Sequence, residues 1–218
     1  MPLKRTAIAE AEWAISQEPA DWLTEAEREI HAAWTFPQRR ADWLAGRLAA
    51  KRLLREEFGV APQAWSVGRD GVAPAITGYD LPGTLLSLSH SGGWGAATVS
   101  EWGTEGSAGI DIQLIRPVHP GLCARVYTPG ERHQIAARFG AENDPAGMLL
   151  LWALKEAAIK ARRCPWERSL QSVTVRLSTP GYAEIEIDGE PVQAASYERL
   201  GNWWLARAVA PTPTLVPG

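Results

Sequence analysis

Cysteine is scarce in this chain of 218 residues: Cys123 and Cys164 stand far apart, without metal-ligand spacing. This pattern argues against a disulfide scaffold or a zinc site and for a reducing compartment. Long apolar runs are missing too. No stretch approaches the roughly 18 apolar residues of a membrane span, and the N-terminus lacks the uninterrupted apolar core of a signal peptide. A cytoplasmic protein without membrane contact is therefore expected. Nor is there a large excess of either charge. A net charge of −3 gives no global attraction to nucleic acid or anionic membrane. Nucleic acid is not expected as a partner, and any anion site must be local.

What is present is an ordinary globular composition, 45% hydrophobic and 22% charged. The length suits one large domain or two of about 100 residues. The eleven tryptophans are read as apolar mass for core and interface, since their spacing does not suggest a base-stacking platform.

Thr24-Glu25-Ala26-Glu27 has capping-box spacing and opens a helix running to about Trp34. Pro37 interrupts it, and a long helix follows from about Gln38 to Phe58, ended by Gly59. "TLLSLSHSGGWGAATVS" reads as two strands joined at Ser91-Gly92-Gly93, and "SAGIDIQLI" as another strand. Asp144-Pro145 starts a second long helix, which Cys164-Pro165 closes. Three strand-like runs follow, "QSVTVRLS", "YAEIEIDG" and "NWWLARAVA". Residues 38–100 and 145–210 thus share one order, a long helix, strand-like runs and a closing hydrophobic strand, which suggests a degenerate duplication. The expected fold class is α+β. Two similar lobes form a pseudo-twofold arrangement, each a long helix packed on a small antiparallel sheet. The N-terminal lobe is placed over residues 1–108, the C-terminal lobe over 109–210, and a disordered tail over 211–218.

The second helix carries "LLWALKEAAIK", residues 150–160, apolar around almost its whole circumference. Such a helix is normally buried, so Lys155, Glu156 and Lys160 are charges where charge is costly and need partners or a task. In the first helix Arg40, Arg47 and Lys51 fall within about 40° of one another, on the side that carries Trp43, Leu44 and Leu48. Inward cations of this kind suit an anion pocket, where guanidinium groups grip phosphate bidentately. The strand end Ser89-His90-Ser91-Gly92-Gly93 offers short polar side chains and backbone N–H groups to phosphate oxygens. Along Gly109-Ile110-Asp111-Ile112-Gln113, strand alternation turns Asp111 and Gln113 to one side. Brought together, Asp111 and Glu156 are oxygen ligands of the kind Mg²⁺ takes when phosphates and waters complete its shell.

These residues resemble the surfactin-type class of the 4′-phosphopantetheinyl transferase superfamily. Its G-x-D strand motif is matched by Gly109-Ile110-Asp111, and its W-x-x-K-E-A-x-x-K helix by Trp152 to Lys160. "RRADWLAGRLAAK" and "LSLSHSGG" resemble two upstream motifs, so the resemblance covers roughly residues 24–161. It implies a monomeric, Mg²⁺-dependent enzyme of two lobes with coenzyme A in the cleft between them. The phosphopantetheine arm would pass to a serine of an apo acyl or peptidyl carrier protein. By position, Asp111 and Glu156 would hold the metal, with Gln113 as a further ligand, and Lys160 would meet the diphosphate. Arg47 and His90 would grip coenzyme A phosphates, with Arg40, Lys51, Ser89 and Lys155 as further contacts. Two departures stand out: Gln113 where the family often has an acid, and Ala73 where a basic residue usually precedes the proline. They leave open a catalytically degenerate homologue that binds coenzyme A or a carrier protein. A serine hydrolase built on Ser89 or Ser91, His90 and Asp111 lacks the G-x-S-x-G elbow.

Overall fold

The computed structural model describes residues 6–70, 73–101, 106–163, 170–188, 190–192 and 194–210. The chain divides into two compact units, Met1–Trp102 and Gly103–Gly218. The expected disordered tail over 211–218 and the Cys164-Pro165 helix stop lie outside the described residues.

The first unit runs β1 (Thr6–Ala9), α1 (Ala11–Ser16), α2 (Pro19–Trp22), α3 (Glu25–Ala33) and α4 (Pro37–Phe58). It continues with β2 (Ser66–Asp70), β3 (Ala73–Thr77), β4 (Thr84–Ser91) and β5 (Trp94–Glu101). Strands β1, β5 and β4 form an antiparallel sheet in that order, and β2 pairs with β3 as a separate hairpin. Gly92 and Gly93, both at positive φ, make the two-residue turn between β4 and β5 that the sequence predicts. Helix α4 lies close on this sheet because Gly95 has no side chain; a Cβ there would run into the Ala45 carbonyl.

The second unit runs β6 (Ser107–Leu114), α5 (Pro120–Val126), α6 (Pro129–Phe139) and α7 (Pro145–Arg162). Then come β7 (Val173–Leu177), β8 (Tyr182–Ile187), β9 (Glu190–Pro191), β10 (Ala194–Leu200) and β11 (Trp203–Ala210). The sheet order is β6-β11-β10-β8-β7, with β9 on β8, all antiparallel. Asp144 caps α7 through Gly147 N at 2.9 Å, as its Asp-Pro start predicts. The helix ends at Arg162, where Arg163 takes the left-handed conformation. Strand β10 was not among the predicted elements. Its "AASYERL" buries only Ala195 fully, so no clean alternation marks it.

The α+β class and the two similar halves, each a long helix on an antiparallel sheet, are as the sequence predicts. The likeness extends to a buried ion pair. In the first unit Thr24 and Glu27 form the expected capping box, and the Glu27 carboxylate meets Lys51 Nζ at 2.8 Å. Glu27 Oε1 accepts from Val67 N, and Lys51 donates to the Pro62 and Trp65 carbonyls. The second unit repeats every part. Thr128 and Glu131 form a capping box, Glu131 meets Lys155 Nζ at 2.9 Å and accepts from Val175 N, and Lys155 donates to Val126 and Leu170 carbonyls. Both lysines are 0% exposed. Each pair ties a short helix, a long helix and a strand together, with the charges and remaining protons satisfied, as burial demands.

Candidate active site

Gly109 explains why the site forms where it does. A Cβ at Gly109 would strike the Ala157 carbonyl and the Ala161 amide of α7, so only glycine lets α7 lie this close to β6. Two residues on, Asp111 points to the same face and meets Lys160 of the same helix. Lys160 Nζ donates to Asp111 Oδ1 at 2.6 Å and to the Ile110 carbonyl at 3.2 Å. Gln113 Nε2 donates to Asp111 Oδ2 at 2.9 Å, the alternation that the sequence predicts. Asp111 and Glu156 are both buried, at 2% and 3% exposure.

Glu156 differs from the paired acids of the fold. Its Oε1 is buried and has no hydrogen-bond partner among the described residues. Burial pushes its carboxyl up to about 7; the Asp111 charge adds to the rise and Lys160 opposes it. A buried carboxylate oxygen without a partner, beside a second acid, suits a hard cation, whose charge would compensate both groups. Asp111 and Glu156 therefore fit Mg²⁺. The Gln113 amide turns its nitrogen, not its oxygen, to Asp111, because an oxygen there would face a carboxylate.

The cations of α4 divide into two kinds. Lys51 is taken up by Glu27 and two carbonyls, as Lys155 is by Glu131. Neither lysine is open to solvent. Arg47 is different: its guanidinium lies 3.6 Å over the Trp43 ring, and its buried Nε has no partner among the described residues. Burial lowers its pKa to about 10, with Glu27 opposing and Arg69 adding to the fall. Arg40 is exposed and donates to His31 Nε2 at 3.2 Å, and His31 stacks on Trp43. His90 sits at the end of β4 against α4, where a Cβ on Gly46 would come within 3.1 Å of its Cδ2. Ser89 precedes it, buried, opposite Ala96. Adjacent residues of a strand face opposite sides, so His90 is not placed as a base for Ser89 or Ser91.

The sequence reading did not single out Arg69, Glu27 as an ion-pair partner, or Glu131. Arg69 pairs with Pro74 across the β2–β3 hairpin, next to Ala73. A cation thus stands on this hairpin although Ala73 is neutral. For Glu131 a signal existed: Thr128-Pro129-Gly130-Glu131 repeats the Thr-x-x-Glu spacing of Thr24 to Glu27.

The duplication makes the asymmetry of the halves readable. Lys51 follows Glu27 by 24 residues, as Lys155 follows Glu131. By the same offset Arg52 stands where the second unit has Glu156, Glu56 where it has Lys160, and Ala7 where it has Asp111. Arg52 pairs with Glu56 at 2.8 Å and reaches the Ile8 carbonyl at 3.3 Å. The frame is shared, but the two acids belong to the second unit alone.

Residues 107–208 match the 4′-phosphopantetheinyl transferase superfamily. A 4′-phosphopantetheinyl transferase of Bacillus pumilus is 26% identical over 66% of this chain and 59% of its own length. One of Bacillus subtilis is 28% identical over 77% of this chain and 73% of its own. A further one, from Bacillus subtilis strain 168, is 28% identical over 55% of this chain and 52% of its own. The matched span contains Gly109, Asp111, Glu156 and Lys160, the residues that build the buried acid site between β6 and α7. On these grounds residues 107–208 belong to the 4′-phosphopantetheinyl transferase superfamily, and the chain as a whole is similar to its Bacillus members.

Proposed function

We propose that this protein moves the phosphopantetheine arm of coenzyme A to a serine of an apo acyl or peptidyl carrier protein, with Mg²⁺ as cofactor. The observation that carries this reading is Glu156, buried, with a partnerless oxygen and a pKa near neutrality beside Asp111. Such a group is suited to a task rather than to structure. In the reaction the serine oxygen bonds to the β-phosphorus of coenzyme A as the bond from that phosphorus to the bridging oxygen breaks, releasing 3′,5′-adenosine bisphosphate. The serine proton must leave, and Glu156 in its ionised form accepts it, directly or through a water. Lys160, partly exposed at the tip of the site, brings positive charge to the diphosphate oxygens. Mg²⁺ held by Asp111 and Glu156 would add Lewis-acid charge on the diphosphate.

Incubation with apo carrier proteins of fatty acid, polyketide and nonribosomal peptide synthesis, coenzyme A and Mg²⁺ should add one phosphopantetheine, read by intact mass, and a chelator should stop it. Gln113 in place of an acid favours a second reading, a binder without turnover. Binding of coenzyme A with no carrier modified in any of the three pathways would establish that second reading.

In the first unit, Arg47 is assigned to the 3′-phosphate of coenzyme A, with His90 and Arg40 as further polar groups; Ser89, on the opposite face of β4 from His90, is not among them. The partnerless Nε of Arg47 and its Trp43 platform support this. Arg47→Ala should raise the KM for coenzyme A at least about tenfold, the scale of one charge-assisted contact. Dephospho-coenzyme A should be affected much less. Equal effects on both substrates would return Arg47 to a structural role. Lys51 and Lys155 are read as members of the frame.

A further inference from the structure

We infer that Gln113 and Lys160 hold Asp111 against divalent cations until a diphosphate is present, so that the metal binds with the substrate and not ahead of it. The inference rests on the transferase reading for its substrate, and on the hydrogen bonds of Asp111 for its mechanism. Both carboxylate oxygens of Asp111 already accept, Oδ1 from Lys160 at 2.6 Å and Oδ2 from Gln113 at 2.9 Å. A cation that ligates Asp111 must displace at least one of these donors.

Charge decides how hard that is. The described residues contain no group of three His, Cys, Asp or Glu side chains that could hold a metal ion. A divalent ion placed among Asp111, Glu156 and Lys160 therefore leaves excess positive charge in a buried site, which is costly. A diphosphate reverses the balance. It supplies hard anionic oxygens to the ion and gives Lys160 a second anion to meet. Lys160 can make that exchange, because its side chain is 22% exposed while that of Asp111 is 2% exposed and fixed.

Gln113 sets the threshold as a positioning residue. Its nitrogen donates to Asp111, which draws on the electron density a metal would use. A glutamate at this position cannot donate in its ionised form. It would repel Asp111, add a third carboxylate, and leave a site that attracts a cation without help.

Mn²⁺, which takes the same hard oxygen ligands, reports binding directly through the paramagnetic resonance of the free ion. The metal-free protein alone should bind Mn²⁺ at least about tenfold more weakly than it does with saturating coenzyme A. Gln113→Glu should bind Mn²⁺ without coenzyme A at least about tenfold more tightly than the parent protein, and coenzyme A should then add less. Lys160→Met, which removes the competing cation, should give a gain of the same sign, and it serves if Gln113→Glu fails to fold. Equal Mn²⁺ affinity of the parent protein with and without bound coenzyme A would overturn the inference. So would the absence of any gain in the variants that fold. Failure of coenzyme A to bind at all would instead remove the transferase reading and with it the ordered entry, while the variants still judge the hold on Asp111.

Discussion

Glu156→Gln should lower kcat for carrier modification by at least about a hundredfold with the fold intact, the scale of losing a general base or a transition-state electrostatic contact. The substitution keeps the shape of the side chain but removes the charge that, on the proposed reading, would face the metal, and the carboxylate basicity that would take the serine proton. A second signature separates this role from a structural one. Burial holds the Glu156 pKa at about 7, above the ordinary carboxylate value of 4.5. Between these values the folded metal-free protein binds more protons than the unfolded chain, so Glu156 makes stability fall as pH rises through that window. The loss is on the order of 3 kcal/mol when complete. It should be absent in Glu156→Gln, so the variant should gain on the parent protein in denaturant titrations as pH rises from 4.5 to 7. Near-normal turnover together with parallel stability profiles would show Glu156 to be an ordinary buried charge.

Lys155→Met should have the largest effect on stability, about 3–5 kcal/mol, because it leaves Glu131 ionised in the core without its partner. Glu131 is 1% exposed, and the same carboxylate accepts the Thr128 and Val175 amides. Simultaneous Glu131→Gln should return part of the loss, since a neutral amide can still accept from Val175 N and removes the unpaired charge. Lys51→Met should behave alike in the first unit, where Glu27 is 3% exposed. The measurement is equilibrium unfolding in urea. A loss under about 1 kcal/mol for Lys155→Met, with a large rise in the KM for coenzyme A, would assign Lys155 to the substrate instead.

Several parts of this protein were legible from local sequence because their causes are local. Thr24 caps with Glu27, Asp144-Pro145 starts α7, and Gly92-Gly93 turns the β4–β5 hairpin, since each depends on residues a few positions apart. The oily helix around Glu156 and the alternation of Asp111 with Gln113 likewise marked buried charge in the sequence. What lay beyond it was the choice of partner. Lys155 and Glu156 are neighbours in one apolar helix, and nothing in "WALKEAAIK" separates a lysine with a structural partner from a carboxylate with a task. The separation comes from what the fold brings opposite each. Lys155 turns to α6 and meets Glu131 and two carbonyls, which satisfy it. Glu156, on the β6 side, meets Asp111, a charge of its own sign that Gly109 lets the helix approach. Sequence marked Lys155 and Glu156 as buried through the hydrophobicity of their surroundings, but it left Glu131 unmarked and turned Arg40 inward, where the structure exposes it. Only tertiary structure decided which are compensated, because compensation depends on distances between groups far apart along the chain.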